Sequence, residues 1–174
     1  MKTLQIGDTA PDFSAKDHNG NEINLSELTE TQDVLLFFYR GQWCPICNMH
    51  LSKIQKNLKE LEEKNIVALA ITPENQENIE KTIVKTNISI PLIFDDGYKI
   101  MKQYKVNFTP SMSLRFIYNS ILGAKLKNSQ SDDSQTLPVP ATYLIGKGRV
   151  IKFAHFNPNY MNRASIDDVI KAIE

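Results

Sequence analysis

The sequence lacks several features that would place it at once in a broad class of proteins. Lysine plus arginine and aspartate plus glutamate number 20 each, so the net charge favours neither a nucleic acid nor an anionic membrane as the main partner. No apolar run approaches a membrane span, and the first residues contain no apolar stretch typical of a secretory signal. These absences predict a soluble cytosolic protein, in which a disulfide would be transient and catalytic rather than structural.

The length and the apolar content bound the organisation of the chain. The protein has 174 residues, and 41% of them are hydrophobic. This length suits one domain spanning residues 1–174, and this composition is sufficient for a packed core.

Cysteine and tryptophan are scarce, and the few that occur stand together. Cys44 directly follows the single tryptophan, Trp43, and Cys47, the only other cysteine, lies three positions further along. An apolar run at 34–39 precedes them and predicts a buried strand, while a helical pattern of apolar residues follows. A C-x-x-C at such a junction is typical of a thioredoxin-like redox motif.

The first turn of a helix is a suitable place for a reactive thiol. Its unpaired N–H groups and partial positive charge stabilise a thiolate, which is the reactive form of cysteine. Pro45 fits this turn because it has no N–H to leave unpaired. Arg40 could add a second positive charge beside the pair.

Two alternatives compete with the redox interpretation. Free cysteines often occur simply as small buried hydrophobic residues. Cys44, Cys47 and His50 also have a C-x2-C-x2-H spacing, but a structural zinc site takes four ligands and the sequence shows no second ligand pair. The position and spacing favour the redox pair, and we expect His50 to be an exposed helix residue.

The order of the predicted elements indicates an α/β fold. A strand–helix–strand unit implies a right-handed parallel crossover. We predict a mixed central sheet flanked by helices on both faces, with an N-terminal β-hairpin extension. The predicted elements are strands at 13–15, 22–24, 34–39, 66–71, 92–94, 141–145 and 150–155, helices at 44–64, 74–86, 98–104, 115–127 and 165–173, and a polar loop at 128–136.

Pro140 stands directly before a predicted core strand, where proline is tolerated. Together with the C-x-x-C it makes the chain similar to the thioredoxin suprafamily, in which a cis-proline before a core strand packs beside the cysteines. Pro140 is the matching position and Pro138 is the competing one. The resemblance implies that Val139 and Pro140, with Trp43 and Pro45, shape the active site.

Further motifs resemble the peroxiredoxins of the AhpC-TSA group. The resemblance extends over nearly the full chain. In particular, the chain is similar to peroxiredoxin-like proteins that carry a thioredoxin-style C-P-x-C, and this implies a thioredoxin-like fold. The motifs are GDTAPDF at 7–13, the Phe38-Tyr39 pair, LPVPATYLI at 137–145, and the run FNPNY followed by Arg163.

The chain also departs from the P-x-x-x-T-x-x-C motif of peroxiredoxins. An ungapped alignment places Arg40 at the proline, Cys44 at the threonine and Cys47 at the peroxidatic cysteine. The usual late-strand arginine of the family falls on or near Pro140. The activating arginine would then be Arg40 or Arg163, although Arg163 is equally interpreted as a surface residue near a helix N-terminus.

The resemblance leaves the roles of the two cysteines open. By peroxiredoxin alignment Cys47 attacks peroxide, whereas by thioredoxin logic Cys44 is the nucleophile and Cys47 resolves. Cys44 at the helix cap would receive more of the helix field and more solvent, so we expect it to be the more reactive thiol. Both cysteines are candidate catalytic residues.

The resemblance implies an oxidoreductase, namely a thiol peroxidase with an antioxidant role. It would reduce hydrogen peroxide or small alkyl hydroperoxides through Cys44 and Cys47, with a thioredoxin-type or glutathione reductant and no metal or organic cofactor. The alternative is a thiol–disulfide oxidoreductase acting on protein disulfides, with Pro140 shaping the substrate groove. A redox sensor without catalysis is a third hypothesis. Peroxiredoxins often dimerise, so the family also allows a homodimer.

Overall fold

A mixed five-stranded sheet forms the centre of the computed structural model, which describes residues 3–173. The strands are β1 (Ser14–Lys16), β2 (Glu22–Asn24), β3 (Asp33–Phe38), β4 (Ile66–Thr72), β5 (Leu92–Phe94), β6 (Asn107–Phe108), β7 (Leu137–Pro138), β8 (Ala141–Ile145) and β9 (Ile151–Phe156). The sheet has the order β5-β4-β3-β8-β9, in which β3, β4 and β5 are parallel and β8 is antiparallel to both neighbours.

The predicted N-terminal hairpin is present as β1 paired antiparallel with β2. The α/β fold class with a mixed sheet is likewise confirmed. The pairing of β6 with β7 was not predicted, because each strand contributes only two residues and so offers no periodicity to detect.

Helices cover both faces of the sheet. They are α1 (Leu25–Thr31), α2 (Pro45–Lys56), α3 (Leu58–Glu63), α4 (Gln76–Thr86), α5 (Lys99–Gln103), α6 (Met112–Phe116), α7 (Leu126–Ser129) and α8 (Ile166–Lys171), with 3-10 turns at Asp96–Tyr98 and Lys147–Arg149 and a π-helical turn at Ile117–Ile121. No helix within residues 3–173 is long and apolar enough to cross a membrane.

Two helices predicted as continuous are interrupted. The helix at 44–64 breaks at Asn57, whose side-chain Nδ2 donates to the Lys53 carbonyl at 2.8 Å and so satisfies an acceptor at the end of α2. The helix at 115–127 ends instead in the π-helical turn, after which Gly123 and Lys125 adopt left-handed backbone angles (φ 65° and 47°). A left-handed residue cannot continue a right-handed helix.

Strand β3 is buried on both faces, as its unbroken apolar pattern predicted. Leu35 and Phe37 enter the apolar cluster that also contains the cysteines, whereas Leu36 and Phe38 enter the cluster on the opposite face. Helices α2, α4 and α8 pack against the first cluster, and α1 and α5 against the second. The strand therefore delivers its carboxyl end, and the residues that follow it, to the cysteine side of the core.

The loop between β3 and α2 is held in place by a buried carboxyl group. Glu74, which follows β4, is fully buried and its Oε2 accepts a hydrogen bond from the Gln42 N–H at 2.6 Å. Gly41 has φ 148°, and a Cβ there would lie 2.7 Å from Nε1 of Trp43 and would also collide with the Glu74 carboxyl group. Glycine is therefore required for this close approach. Lys85 of α4 donates to the Gln42 carbonyl at 3.3 Å and completes the support.

Burial raises the pKa of Glu74 to about 8, although the hydrogen bond from the Gln42 N–H opposes the shift. The carboxyl group therefore binds its proton more tightly in the folded chain than in the unfolded chain. Its stabilising contribution is complete below the ordinary pKa of 4.5 and is lost as the pH rises through about 8.

Replacing Glu74 by Gln removes this titration. We expect the free energy of unfolding of E74Q, relative to the wild type, to increase by about a few kcal/mol between pH 5 and pH 9. Urea unfolding under reducing conditions at several pH values measures the difference. E80Q, which changes an exposed residue on the following helix α4, is the matched control. A constant difference between E74Q and the wild type across this range would contradict the raised pKa.

Candidate active site

Both cysteines lie at the beginning of α2. Cys44 is the N-cap residue, Pro45 is the first helical residue and Cys47 lies in the first turn. Both are free thiols, and each is only 1% exposed. The expectation that Cys44 is exposed to solvent is therefore wrong, because aromatic side chains and a buried arginine pack around this end of the helix.

Arg40 is buried directly beside Cys44. Its Nη2 donates to Cys44 Sγ at 3.2 Å, and its Nη1 donates to the Tyr118 hydroxyl at 3.1 Å. The guanidinium group also lies over three rings, with centroid distances of 5.2 Å to Trp43, 5.3 Å to Tyr118 and 4.0 Å to Tyr160. Cation–π contacts of this kind hold a buried guanidinium group without neutralising it. Its positive charge is thus available to a sulfur atom.

Arg163 occupies the corresponding position beside Cys47. It lies between β9 and α8, where its Nη2 donates to Cys47 Sγ at 3.2 Å and its Nε donates to the Tyr160 carbonyl at 2.8 Å. The sequence did not decide whether Arg163 activates a cysteine or lies on the surface near a helix N-terminus. The structure brings its guanidinium group into direct contact with the thiol, so each sulfur atom faces one arginine.

The two thiols have opposite pKa shifts. The pKa of Cys44 is raised because its thiol is hydrogen-bonded to Cys47, and burial and the charge on Cys47 add to this effect. Burial also acts to raise the pKa of Cys47, but the hydrogen bond from Cys44 and the charges of Arg163 and Arg40 outweigh it and lower the pKa. These interactions favour the thiolate on Cys47, whereas the sequence argument favoured Cys44.

The Val139–Pro140 pair does not adopt the expected cis form. Residues 3–173 contain no cis peptide bond, so Pro140 is trans. The chain is extended here, since β7 pairs with β6, the Val139 N–H donates to the Val106 carbonyl at 2.7 Å, and β8 begins immediately afterwards. A trans bond continues this extended path. No hydrogen bond among the described residues joins Val139 or Pro140 to either cysteine.

His50 is buried rather than exposed as predicted. Its ring packs edge-on against Phe37 at a centroid distance of 5.9 Å, and its Nε2 lies 3.2 Å from the Ala164 carbonyl. Burial and the nearby charge of Arg163 lower the pKa of His50 to about 4, so its neutral ring donates this bond. This hydrogen bond anchors Ala164, which is the residue next to Arg163. In the described range 3–173, no group of three His, Cys, Asp or Glu side chains is placed to hold a metal ion.

Sequence analysis missed two residues of the site, Tyr118 and Tyr160. Tyr118 packs on Trp43 at a centroid distance of 5.0 Å and accepts a hydrogen bond from Arg40. Tyr160 covers the same guanidinium group from the opposite end of the chain. Tyr160 belongs to the FNPNY run, which offered a signal, whereas nothing in the pattern around Tyr118 distinguished it from a core aromatic residue.

The arrangement is suited to two-electron thiol chemistry. A buried thiolate is held by an arginine and by a neighbouring thiol, and the two cysteines are close enough to share a hydrogen bond. A thiolate is the form that attacks peroxides and disulfides. A second thiol at this distance can convert an oxidised first sulfur into a disulfide.

Comparison with known proteins agrees with this chemistry. A relative from Helicobacter pylori strain J99, assigned to the Bcp peroxiredoxins, is 31% identical over 105 residues, which are 60% of this chain and 68% of the relative. The thiol-disulfide oxidoreductase ResA of Bacillus cereus strain ZK is 30% identical over 112 residues, 64% of each chain. The crystal structure of peroxidoxin BcpB from Mycobacterium tuberculosis has a TM-score of 0.72 at 20% identity and covers 98% of this chain and 94% of its own.

The family assignment does not depend on any single relative. The model of the AhpC/TSA family matches residues 6–154, which include both cysteines, Arg40 and Pro140. The similarity to a peroxiredoxin agrees with the thiol-dependent peroxidase activity expected from the sequence. The chain belongs to the AhpC/TSA family.

Proposed function

We propose that this chain is a thiol-dependent peroxidase in which Cys47 attacks the peroxide and Cys44 resolves the product. The observation that carries this assignment is the pair of contacts around Cys47 Sγ, with the Arg163 Nη2 at 3.2 Å and the Cys44 thiol hydrogen-bonded to it. Both contacts stabilise a thiolate. The alignment of Cys47 with the peroxidatic cysteine of the family supports the same choice.

The reaction has two chemical steps before recycling. The Cys47 thiolate attacks one oxygen of the peroxide O–O bond, which gives a Cys47 sulfenic acid and an alkoxide or hydroxide that takes up a proton. The Cys44 sulfur then attacks Cys47 Sγ, so a disulfide forms and the sulfenic oxygen leaves as water. Arg40, at 3.2 Å from Cys44 Sγ, stabilises the thiolate that Cys44 must become in this step.

Access to the site requires a local movement. Both thiols are buried, and the segment 157–163 after β9 covers them with Tyr160 over Arg40 and Arg163 against Cys47. We propose that residues 157–162, which include Tyr160, move aside to admit the peroxide and, later, the reductant, while Arg163 keeps its contact with Cys47. Trp43 and Pro45 shape the remaining wall, because Trp43 packs on the guanidinium group of Arg40 and Pro45 begins α2.

Peroxide as substrate and a thioredoxin-type reductant agree with the peroxiredoxin relatives. Glutathione as an alternative reductant, cytoplasmic location, a homodimer and the extent of the domain over residues 1–174 stay predictions. So do the site-shaping roles of Val139 and Pro140.

A thiol–disulfide oxidoreductase is the second candidate function. The C-x-x-C at the beginning of α2 and the similarity to ResA favour it. The raised pKa of Cys44, caused first by its hydrogen bond to Cys47, counts against it, since thioredoxin logic makes Cys44 the attacking thiolate. Reduction of insulin disulfides distinguishes the two, because only an oxidoreductase would catalyse it at a rate comparable with peroxide turnover.

The single-cysteine variants test which thiol attacks. We expect C47S to lose peroxide consumption entirely, because the stabilised thiolate is removed. C44S is expected to retain one rapid reaction with peroxide and to stop at the Cys47 sulfenic acid, which a sulfenic acid trap and mass spectrometry detect. Stopped-flow fluorescence of Trp43, the only tryptophan, follows the step in both variants. Rapid oxidation of C47S at Cys44 would reverse the assignment.

Removing the charge beside Cys47 tests the electrostatic part of the proposal. Because Arg163 stabilises the thiolate, R163Q is expected to raise the pKa of Cys47 by about 1 to 3 units. The rate of alkylation at Cys47 would then fall at low pH and approach the wild-type rate at high pH. R163K should shift the pH profile less, because it keeps the charge.

K53Q is the matched control for R163Q. Lys53 and Arg163 both line a cavity of about 440 Å³ beside α2. Among the described residues, however, Lys53 makes no hydrogen bond to either sulfur atom. An equal shift of the alkylation profile in K53Q and R163Q would show that the direct contact of Arg163 is not the cause.

A further inference from the structure

Glu74 is a buried carboxyl group that the two thiol steps do not use. It follows β4, is fully buried, and its Oε2 accepts the hydrogen bond from the Gln42 N–H at 2.6 Å. Its other oxygen, Oε1, is buried and has no hydrogen-bond partner among residues 3–173. A buried polar atom without a partner is costly, so its presence calls for an explanation in the chemistry of the site.

The unpartnered oxygen faces the residue next to Cys44. A Cβ atom on Gly41 would lie 2.5 Å from Glu74 Oε1 and 2.7 Å from Trp43 Nε1, so both atoms border the same small space. The indole N–H is a donor that also has no partner among the described residues. A donor is thus already in place near the carboxyl group for the form of Glu74 that has lost its proton.

Groups on three elements act on this carboxyl group. Burial and the charge on Cys47 of α2 favour its protonated form, whereas Lys85 and Lys81 of α4 favour its ionised form. The buried hydroxyl of Tyr39, directly after β3, is also coupled to Glu74, and it stays protonated because burial raises its pKa. Of these groups, Cys47 alone changes its charge when the cysteine pair is oxidised.

Oxidation of the pair needs one proton that the two cysteines do not hold. Cys47 starts as a thiolate and Cys44 as a thiol. When a hydroperoxide converts them to a disulfide, one oxygen leaves as an alcohol and the other as water, and these products carry three of the exchanged hydrogens. The hydroperoxide brings one and Cys44 brings another. Because both thiols are buried, a nearby buried group is well placed to supply the third.

We propose that Glu74 is the proton reserve of the cysteine pair, which keeps its proton while Cys47 is a thiolate and releases it when the Cys44–Cys47 disulfide forms. Oxidation removes the negative charge on Cys47, and with it the repulsion that opposes ionisation of Glu74. The thiol, the thiolate, the protonated carboxyl group and the hydroperoxide then become the disulfide, the carboxylate, an alcohol and water. Reduction of the disulfide returns the proton to Glu74.

Glu74 is a positioning residue rather than a catalytic one. No hydrogen bond among the described residues joins it to either sulfur atom, so it acts through its charge. Its bond to the Gln42 N–H also holds the loop that carries Arg40, and this bond is stronger when the acceptor is ionised. The use of the proton in peroxide reduction rests on the proposed function, whereas its coupling to the disulfide does not.

Exchange with dithiothreitol measures the coupling without any peroxide. Reduction of the disulfide forms one thiol and one thiolate, while two dithiothreitol thiols lose their protons, so one proton is released if Glu74 takes none up. For E74Q we therefore expect the equilibrium constant for reduction to rise about tenfold per pH unit between about pH 6 and pH 7.5. The wild type should rise by about threefold per unit or less, because Glu74 takes up most of that proton.

E80Q, which changes an exposed residue of α4, is the matched control and should follow the wild type. A tenfold rise per pH unit in the wild type would overturn the proposal, whatever E74Q does. Equal slopes in the wild type and E74Q would also overturn it.

Infrared difference spectroscopy of the wild type gives a second measurement, which does not depend on the folding of E74Q. A protonated carboxyl group has a C=O stretching band that is distinct from the bands of a carboxylate. At neutral pH the reduced protein should show this band and the oxidised protein should lose it, and E80Q should behave in the same way. A reduced protein without the band, or a band that oxidation leaves unchanged, would contradict the proton reserve.

Proton uptake during oxidation by hydrogen peroxide separates this inference from the proposed function. In weakly buffered solution with a pH indicator, E74Q should take up about one proton per disulfide formed, and the wild type about half of this or less. Dithiothreitol slopes that differ as expected, with oxidation by hydrogen peroxide no faster than that of a free thiol, would refute the peroxidase function alone. Rapid oxidation with the same proton uptake in both proteins would refute the proton reserve alone.

Discussion

The contact of each sulfur atom with its own arginine is the constraint on which the rest of the site depends. A thiolate in a buried site is costly unless a positive charge and hydrogen bonds compensate it. Arg163 supplies both a positive charge and a hydrogen bond to Cys47, while Arg40 faces Cys44. The two thiols are thereby made unequal, since the proton remains on Cys44 and the charge on Cys47. One buried pair can then provide both an attacking and a resolving sulfur.

The fold supplies these two arginines from distant places. Arg40 follows the carboxyl end of β3, which is rigid because the strand is buried on both faces. The loop that follows is fixed by the hydrogen bond between Glu74 and the Gln42 N–H. Arg163 lies near the other end of the chain. There the hydrogen bond from His50 to the Ala164 carbonyl holds Ala164, the residue next to Arg163, in place. The parts of the site that carry positive charge are thus anchored to the core.

Local pattern predicted most of the framework. The strands at the centre of the sheet, including the two observed as β8 and β9, followed from apolar runs. The errors lie where a side chain or a backbone angle acts against the periodicity, as at Asn57 within the predicted helix and at Gly123 after the π-helical turn. Such breaks depend on individual hydrogen bonds and left-handed residues, which a periodic pattern does not encode.

The sequence by itself determined the family resemblance, the fold class and the position of both cysteines at a strand–helix junction, because each of these follows from local spacing. Only the tertiary structure decided which sulfur is favoured to carry the charge. Arg163 and Cys47 are 116 residues apart, and Arg40 and Tyr118 are 78 apart. These contacts exist only after the sheet has brought the two ends of the chain together. Burial, which shifts both thiol pKa values, is likewise a property of the packed molecule.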